Sequence, residues 1–370
     1  MTEVQMITDD ARNPAKHERN SVVSELDLAI VNALQYLPRG SWEPISKILG
    51  KDISTLTRHW QALTDQGMAW VSCYPSLTGT VPGWVEISCS ADRSAEVAST
   101  LATDPHAVTV AHTTGEWDLL AVVVATDDKA WSDYNLDRIR HIPGVLRTRP
   151  TPFSGTYVAD GSHWRLDALT SAQVATLRRL QEQTDVEESR PVSHQARPIV
   201  AALAAGGRLP ASELGLAMDI HERAAQRRLA VLLKHGEVTL RAEIAHAYSG
   251  WPVTVLFWAH APVAALDYLA SEIVKMRETR TCAVTASGNA NLTFSAAFRH
   301  FRAIRKFESD LEGTLYRFGL RILRKAPVMR PVKLAGTLLD EAGHRHGVVP
   351  MAYWDPIPIA PNPSPVSSHP

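Results

Sequence analysis

Two sets of side chains have types and spacings that could do chemistry. The first is Ser54, Thr55, Thr57, Arg58, His59 and Gln61, with Lys51 just ahead of them. Hydroxyls and an amide can bond phosphate oxygens or base edges, and a guanidinium can grip guanine through two parallel hydrogen bonds. Residues 47–61 carry a net charge of +2 in a chain whose net charge is −1, a local cationic patch on a neutral protein. The same residue types return at Arg223, Gln226, Arg227 and Arg228. Any solvated helix face can carry such residues; their return at matching positions favours nucleic acid. The second set is Gly115-Glu116-Trp117-Asp118. Glycine lets backbone N–H groups approach a carboxylate, and Asp118 can take an ammonium group, so the hairpin suits a zwitterion. A plain turn, with Gly115 at positive φ and Asp118 bonded to backbone, uses the same residues.

Catalytic and metal signatures are missing. The chain has no GxSxG, HExxH, GxxxxGK[ST] or GxGxxG,. His344-Arg-His346 has no third ligand nearby and reads as solvent-exposed. Asp9-Asp10 and Asp127-Asp128 read as solvated turns. Cys73, Cys89 and Cys282 lie far apart without a CxxC, which argues against a disulfide framework or a cysteine zinc site,. No catalytic residue, metal or cofactor is expected.

Both sets must be positioned by a repeated scaffold. Sliding the chain against itself by 169 residues aligns Ile30, Leu34, Arg39, Ile45, Arg58, Leu63 and Gly67 with Ile199, Leu203, Arg208, Leu214, Arg227, Leu232 and Gly236,. In the first copy Leu26, Ile30 and Leu34 mark a helix stopped by Pro38-Arg39-Gly40, and a second helix over 43–49 stops at Gly50. Asp52 can cap a third, with Leu56, Trp60 and Leu63 on one face and Gly67 at its end. A strand over 69–74 follows, which completes the plan of a winged helix-turn-helix. The second copy repeats it at 199–203 and 211–216, then through a helix carrying Ala225, Leu229 and Leu232, and a strand at 238–240.

Beyond each helical unit the pattern alternates. Strand 84–88, helix 92–102, strands 108–112 and 117–124, helix 129–140 and strand 144–148 give the βαββαβ order of a ferredoxin-like sandwich. Segments 253–258, 263–275, 281–285, 292–296, 301–312 and 316–323 repeat it. The expected fold class is α+β, two tandem copies of a winged helix-turn-helix followed by a ferredoxin-like sandwich. The expected divisions are a disordered 1–20, helix-turn-helix units at 21–78 and 191–246, sandwiches at 79–158 and 247–335, a linker with a helix at 159–190, and a mostly disordered tail at 336–370. Trp84, Trp117, Trp251 and Trp258 read as core or interface residues. A polar N-terminus unlike a signal peptide, and no apolar run near 20 residues, point to a cytoplasmic protein with no membrane partner.

The run Leu26-Asp27, Ala33-Leu34-Gln35, Arg39, Leu49-Gly50, Thr55, Arg58-His59-Trp60, Leu63 and Gly67-Met68-Ala69-Trp70-Val71 resembles the DNA-binding domain of Lrp/AsnC transcriptional regulators, above all the actinobacterial branch with two copies per chain. Thr114 to Leu120 resembles that family's effector-site hairpin, and Ile142-Pro143-Gly144-Val145 precedes the last strand as in the family. The resemblance spans about 21–155 strongly and 195–325 more weakly. It implies double-stranded DNA as partner, an amino-acid effector at Gly115, Glu116 and Asp118, and a homo-oligomer formed through the sandwiches. The second copy departs: Thr55 becomes Ala224, the hairpin reads Gly288-Asn289-Ala290-Asn291, and Pro-Gly-Val is absent. An effector site at Gly288 and Asn291 is therefore altered. Two alternatives remain. Siroheme decarboxylases resemble the same plan and would need histidines and arginines in the sandwich cleft; His106, His112 and His260 are available, without an arginine cluster beside them. An architectural DNA-compacting protein is disfavoured by neutral charge.

Overall fold

The computed structural model describes residues 23–158, 163–182, 189–286 and 288–358, so the expectation for 1–20 lies outside the described residues. Helix α1 (Glu25–Tyr36) starts where the Ser24 hydroxyl and the Asp27 carboxylate cap each other's backbone N–H,. Helix α2 (Trp42–Leu49) stops at Gly50, which turns the chain at φ 63°. Helix α3 (Ile53–Asp65) buries Leu56, Trp60 and Leu63, and strand β1 (Ala69–Pro75) follows. The first sandwich is β2 (Val81–Cys89), α4 (Ser94–Ala102), β3 (Ala107–Thr113), β4 (Leu119–Ala125), α5 (Asp128–Asp133) and β5 (Val145–Val158). One helix was expected over 129–140; α5 instead gives way to a wider π turn, Tyr134–Arg138. Tyr134 and Arg138 both bond the buried Asp104 carboxylate.

Helix α6 (Ser171–Glu182) lies in the connector, and the connector's described residues are docked on the helix units. Leu166 N–H donates to Gln35 Oε1 (2.8 Å) and Ala168 N–H to Asn32 Oδ1 (3.1 Å), while Leu177 enters the core. The second copy follows as α7 (Arg197–Ala205), α8 (Ala211–Ala217), α9 (Glu222–Lys234) and β6 (Val238–Ile244). Its sandwich is β7 (Val253–His260), α10 (Leu266–Lys275), β8 (Thr279–Thr285), β9 (Leu292–Phe298), α11 (Arg302–Thr314) and β10 (Arg321–Leu334). The last strand was expected at 316–323. It starts later and runs much further, pairing first with β7 and then with β3; Pro327 sits where the strand passes from one partner to the other and Pro331 beside a register shift, places that tolerate a missing N–H,.

The two copies close on each other. Strands β1 and β6 form an antiparallel ribbon of their own, and Ser72 faces Arg241, its repeat equivalent. A two-fold relation between the copies therefore passes between these residues. Arg39 donates to the carbonyls of Gly207 and Leu209, both at 2.7 Å. Arg208 donates to those of Pro38 (2.6 Å) and Gly40 (3.0 Å). Arg39 and Arg208 are repeat equivalents, as are the carbonyls each one holds, so the clasp is reciprocal. The helices of both copies bury Ile30, Leu34, Leu63, Ile199, Leu203 and Leu232 in one common core.

The sandwich strands join as β3-β4-β2-β5-β8-β9-β7-β10, and β10 pairs back onto β3. Each ferredoxin-like sheet thus supplies half of a closed wall, with seams at β5–β8 and β10–β3. Alternation sorts the side chains. Val85, Ile87, Leu119 and Ala121 turn outward onto α4 and α5, and Val255, Phe257 and Phe294 onto α10 and α11. Trp84, Leu120, Leu256, Trp258 and Ala326 meet inside. Trp84 Nε1–H donates across the interior to Thr293 Oγ1 at 3.1 Å. Beside it the buried Glu86 carboxylate accepts from both Arg149 and Arg324.

The first part of the tail departs from expectation, while 359–370 lies outside the described residues. Residues 336–358 are placed, with β11 (Thr337–Leu339) and β12 (Arg345–Val348) extending the sheet from β10. Arg345 N–H donates to Gly67 O (2.8 Å), and Tyr353 Oη–H donates to Ser76 O (2.5 Å). The Pro- and Ser-rich composition that suggested disorder belongs to 356–370. Upstream of it Leu339, Met351 and Tyr353 supply apolar surface to bury,. His344, expected in solvent, stacks on Tyr248 and shares a 2.8 Å hydrogen bond with its hydroxyl.

Candidate functional site

On α3, burying Leu56, Trp60 and Leu63 turns Ser54, Thr57, Arg58 and Gln61 outward, with Lys51 and Asp52 exposed at its start. Thr57 Oγ1 bonds back to Ile53 O (2.7 Å) and Gln61 to Asp65 (2.7 Å). Thr55 is half-buried. His59 turns inward instead, and its Nδ1 lies 2.8 Å from Asp27 Oδ1, tying α3 to α1. Burial raises the Asp27 pKa, but bonds from Ser24 and His59 outweigh it and hold the carboxyl below its ordinary value. On α9 the equivalent face exposes Arg223, Gln226 and Arg227, with Arg228 half-buried and Ala224 where the first copy has Thr55. Both faces thus present a guanidinium at the repeat-equivalent positions 58 and 227, each with an amide elsewhere on the same face, and the clasp and shared core hold the two helix units together.

The hairpins are built alike. Thr113 N–H donates to Asp118 O and Thr113 Oγ1–H to Trp117 O. Thr285 makes the same two bonds, to Asn291 O and Ala290 O. Gly115 and Gly288 sit at φ 98° and 83°, where a side chain would strain the turn,. One Asp118 oxygen accepts Cys89 N–H at 2.7 Å, clamping the end of β2. Asn291 does this for β7 with both amide atoms, accepting from Ala261 N–H (2.9 Å) and donating to Ala261 O (2.8 Å). The change from acid to amide therefore keeps the clamp. Glu116 pairs with Arg147 (3.3 Å), whose guanidinium, like that of Arg149, covers the Trp117 ring.

A cavity of about 830 Å³ lies between the β1–β6 ribbon and the closed sheet. Apolar residues Trp84, Leu120, Val122 and Leu256 line one part of it. Arg241 and Glu243 of β6, His246, and Arg280 of β8 line another. The Arg280 guanidinium stacks 3.6 Å from the centre of the Trp164 ring. Burial, then the charge of Arg241, holds Arg280 well below its ordinary pKa. Burial, with Arg280 and Arg241 adding to it, takes His246 down to about 4, so its imidazole is neutral at pH 7.

A family profile described as Lrp/AsnC ligand binding domain matches residues 84–162, the span of the first sandwich. The first sandwich is therefore similar to the ligand-binding domain of the Lrp/AsnC family. Among curated relatives, the HTH-type transcriptional regulator FL11 of Pyrococcus horikoshii is 29% identical over 130 residues, covering 34% of this chain and 85% of that protein. Among solved structures, the siroheme decarboxylase NirDL shares the fold with a TM-score of 0.52 at 12% identity, over 84% of this chain and 93% of NirDL. Escherichia coli AsnC gives a TM-score of 0.34 at 17% identity, over 37% of this chain and 96% of its own.

The sequence alone did not mark the cavity lining. His106, His112 and His260 were the histidines considered, and none lines the cavity. His106 is buried against Tyr134 and is held below its ordinary pKa, chiefly by burial. Arg241, His246 and Arg280 come from a wing strand, a turn and a sheet strand. One signal was available: Leu240-Arg241-Ala242-Glu243-Ile244 alternates charged with apolar residues, which puts Arg241 and Glu243 on one strand face,. No helix among the described residues is long and apolar enough to cross a membrane.

Proposed function

We propose that the chain is a DNA-binding transcriptional regulator with two unequal reading heads fused into one pseudo-dimer. The observation that carries this reading is the matched pair of exposed faces, Ser54, Thr57, Arg58 and Gln61 on α3 and Arg223, Gln226 and Arg227 on α9. They belong to winged helix-turn-helix units, and the similarity to FL11 supports their use on DNA. Lys51 adds a phosphate contact, and Thr55, His59 and Arg228 stand at the edges of the faces. Because the faces differ, the operator is asymmetric rather than a true palindrome. The sheet seams between the two sandwiches are formed within one chain, so any further oligomer uses other surfaces. Gly115, Glu116 and Asp118 form the effector hairpin and Gly288 and Asn291 its altered counterpart.

The test is selection of bound fragments from a random DNA pool, followed by titration of the winner. Arg58→Ala and Arg227→Ala should each weaken binding by about 1–3 kcal/mol, as expected for loss of a bidentate base contact. Unchanged affinity in both variants removes the reading. A second reading, an enzyme acting on a tetrapyrrole, is favoured by Arg241, Arg280 and His246 in a cavity of a NirDL-like fold. An absorbance titration with an iron uroporphyrin separates the two: a spectral shift abolished by Arg280→Met supports the enzyme, and a flat titration dismisses it.

A further inference from the structure

We infer that the cavity between the wing ribbon and the closed sheet is a binding site for an organic carboxylate with an apolar body, its anionic end held by Arg280 and Arg241. This goes beyond the DNA-reading proposal and places a ligand away from the hairpins.

Charge comes first. Among the residues lining the cavity, the guanidiniums of Arg241 and Arg280 face one carboxylate, Glu243. Glu243 is already engaged, 3.3 Å from Arg241 Nε and accepting the Tyr74 hydroxyl at 2.7 Å. Arg280 uses Nη1 on the carbonyls of Arg277 and Glu278, both at 3.2 Å. Its Nη2 is buried and has no hydrogen-bond partner among the described residues. A buried guanidinium donor without an acceptor is costly, and a carboxylate is the acceptor whose geometry it fits. The neutral His246 beside it can donate or accept without adding charge.

The rest of the lining sets the body of the ligand. Trp84, Leu120, Val122 and Leu256 are apolar, and the cavity volume of about 830 Å³ is within the range of small-molecule pockets,. A hydrophilic ion alone would leave these walls unmatched, and a neutral hydrocarbon would leave Arg280 unmatched.

Position adds a consequence. Arg241 lies in the ribbon that joins the two helix units, and Arg280 lies in β8 of the closed sheet. One carboxylate on both side chains would bridge the head layer to the sheet layer.

The probes are pyrene-1-butyrate and its neutral analogue pyrene-1-butanol, followed by energy transfer from tryptophan to pyrene. The parent protein should bind the acid at least 10-fold more tightly than the alcohol, the scale of one charge-assisted bond pair. Arg280→Met should bring the acid to the affinity of the alcohol. Leu256→Trp, which fills the cavity from its apolar wall, should abolish binding of both. Equal affinity of acid and alcohol for the parent overturns the proposal and needs no variant. An acid preference that survives in Arg280→Met, or binding that survives in Leu256→Trp, overturns it too. None of these readouts uses DNA, so their failure and a failure of the operator test are distinguishable.

Discussion

Replacing Arg39 by methionine removes two hydrogen bonds of 2.7 Å to the Gly207 and Leu209 carbonyls and leaves both acceptors unpaired in a half-buried interface. Bonds to a charged donor contribute about 1.5–3 kcal/mol each, offset here by desolvation of the guanidinium, so the net loss expected is about 2–3 kcal/mol. Arg208→Met should cost somewhat more, because its guanidinium also covers the Trp42 ring at 4.8 Å,. Burial and then the neighbouring Arg39 hold Arg208 down to about pKa 10, so the two cations repel. Each single variant relieves that repulsion, while the double variant can relieve it once. The double loss should therefore exceed the sum of the singles, by up to about 1 kcal/mol. Arg39→Lys should not rescue, since an ammonium cannot reach two carbonyls as a planar fork does. Urea unfolding of the four proteins, followed by tryptophan fluorescence, gives each term. Single losses under about 0.5 kcal/mol, or a double loss below the larger single, would refute the clasp as a structural lock.

Two other outcomes can be checked on the same apparatus. His246 titrates near 4 folded against about 6.5 unfolded, so the unfolded chain binds more protons between these values; stability is complete above about pH 6.5 and falls by roughly 1–3 kcal/mol as pH drops through 4, a slope that His246→Gln should flatten in pH-dependent unfolding,. Asp118→Ala and Asn291→Ala each remove a clamp on a strand end and should cost about 1–2 kcal/mol of thermal stability, where an unchanged melting temperature would show the clamps to be idle,.

How far the molecule could be read from its sequence follows from the range of its interactions. Helices α1 to α3 and their second copies were legible because Leu56, Trp60 and Leu63, or Ala225, Leu229 and Leu232, mark one face at local spacing. The βαββαβ order was legible for the same reason. The meeting of β5 with β8 and of β10 with β3 was not, because strand pairing across more than 100 residues leaves no periodic trace. The cavity depends on that closure, so Arg280 and Arg241 could not be placed together. Arg39 and Arg208 were visible as a matched pair in the repeat, yet their role needs the opposite copy's carbonyls. Asp118 shows the limit of type and spacing: the residues fitted a ligand hairpin and a turn clamp equally, and the Cys89 N–H now occupies one of its oxygens.

The closed sheet has one more consequence. Two separate chains that meet along such seams come apart on dilution, and a substitution in one of them is present in both. Here the halves are covalently joined, so their association is unimolecular and independent of concentration, free of the translational and rotational cost that a dimer meets. Each half can also change alone. Glu86 on β2 holds two arginines while Trp258, its counterpart on β7, lies under one of them. His59 binds Asp27 where the second copy has Arg228. A dimer of identical chains carries the same residue at both equivalent positions and could not combine the two versions.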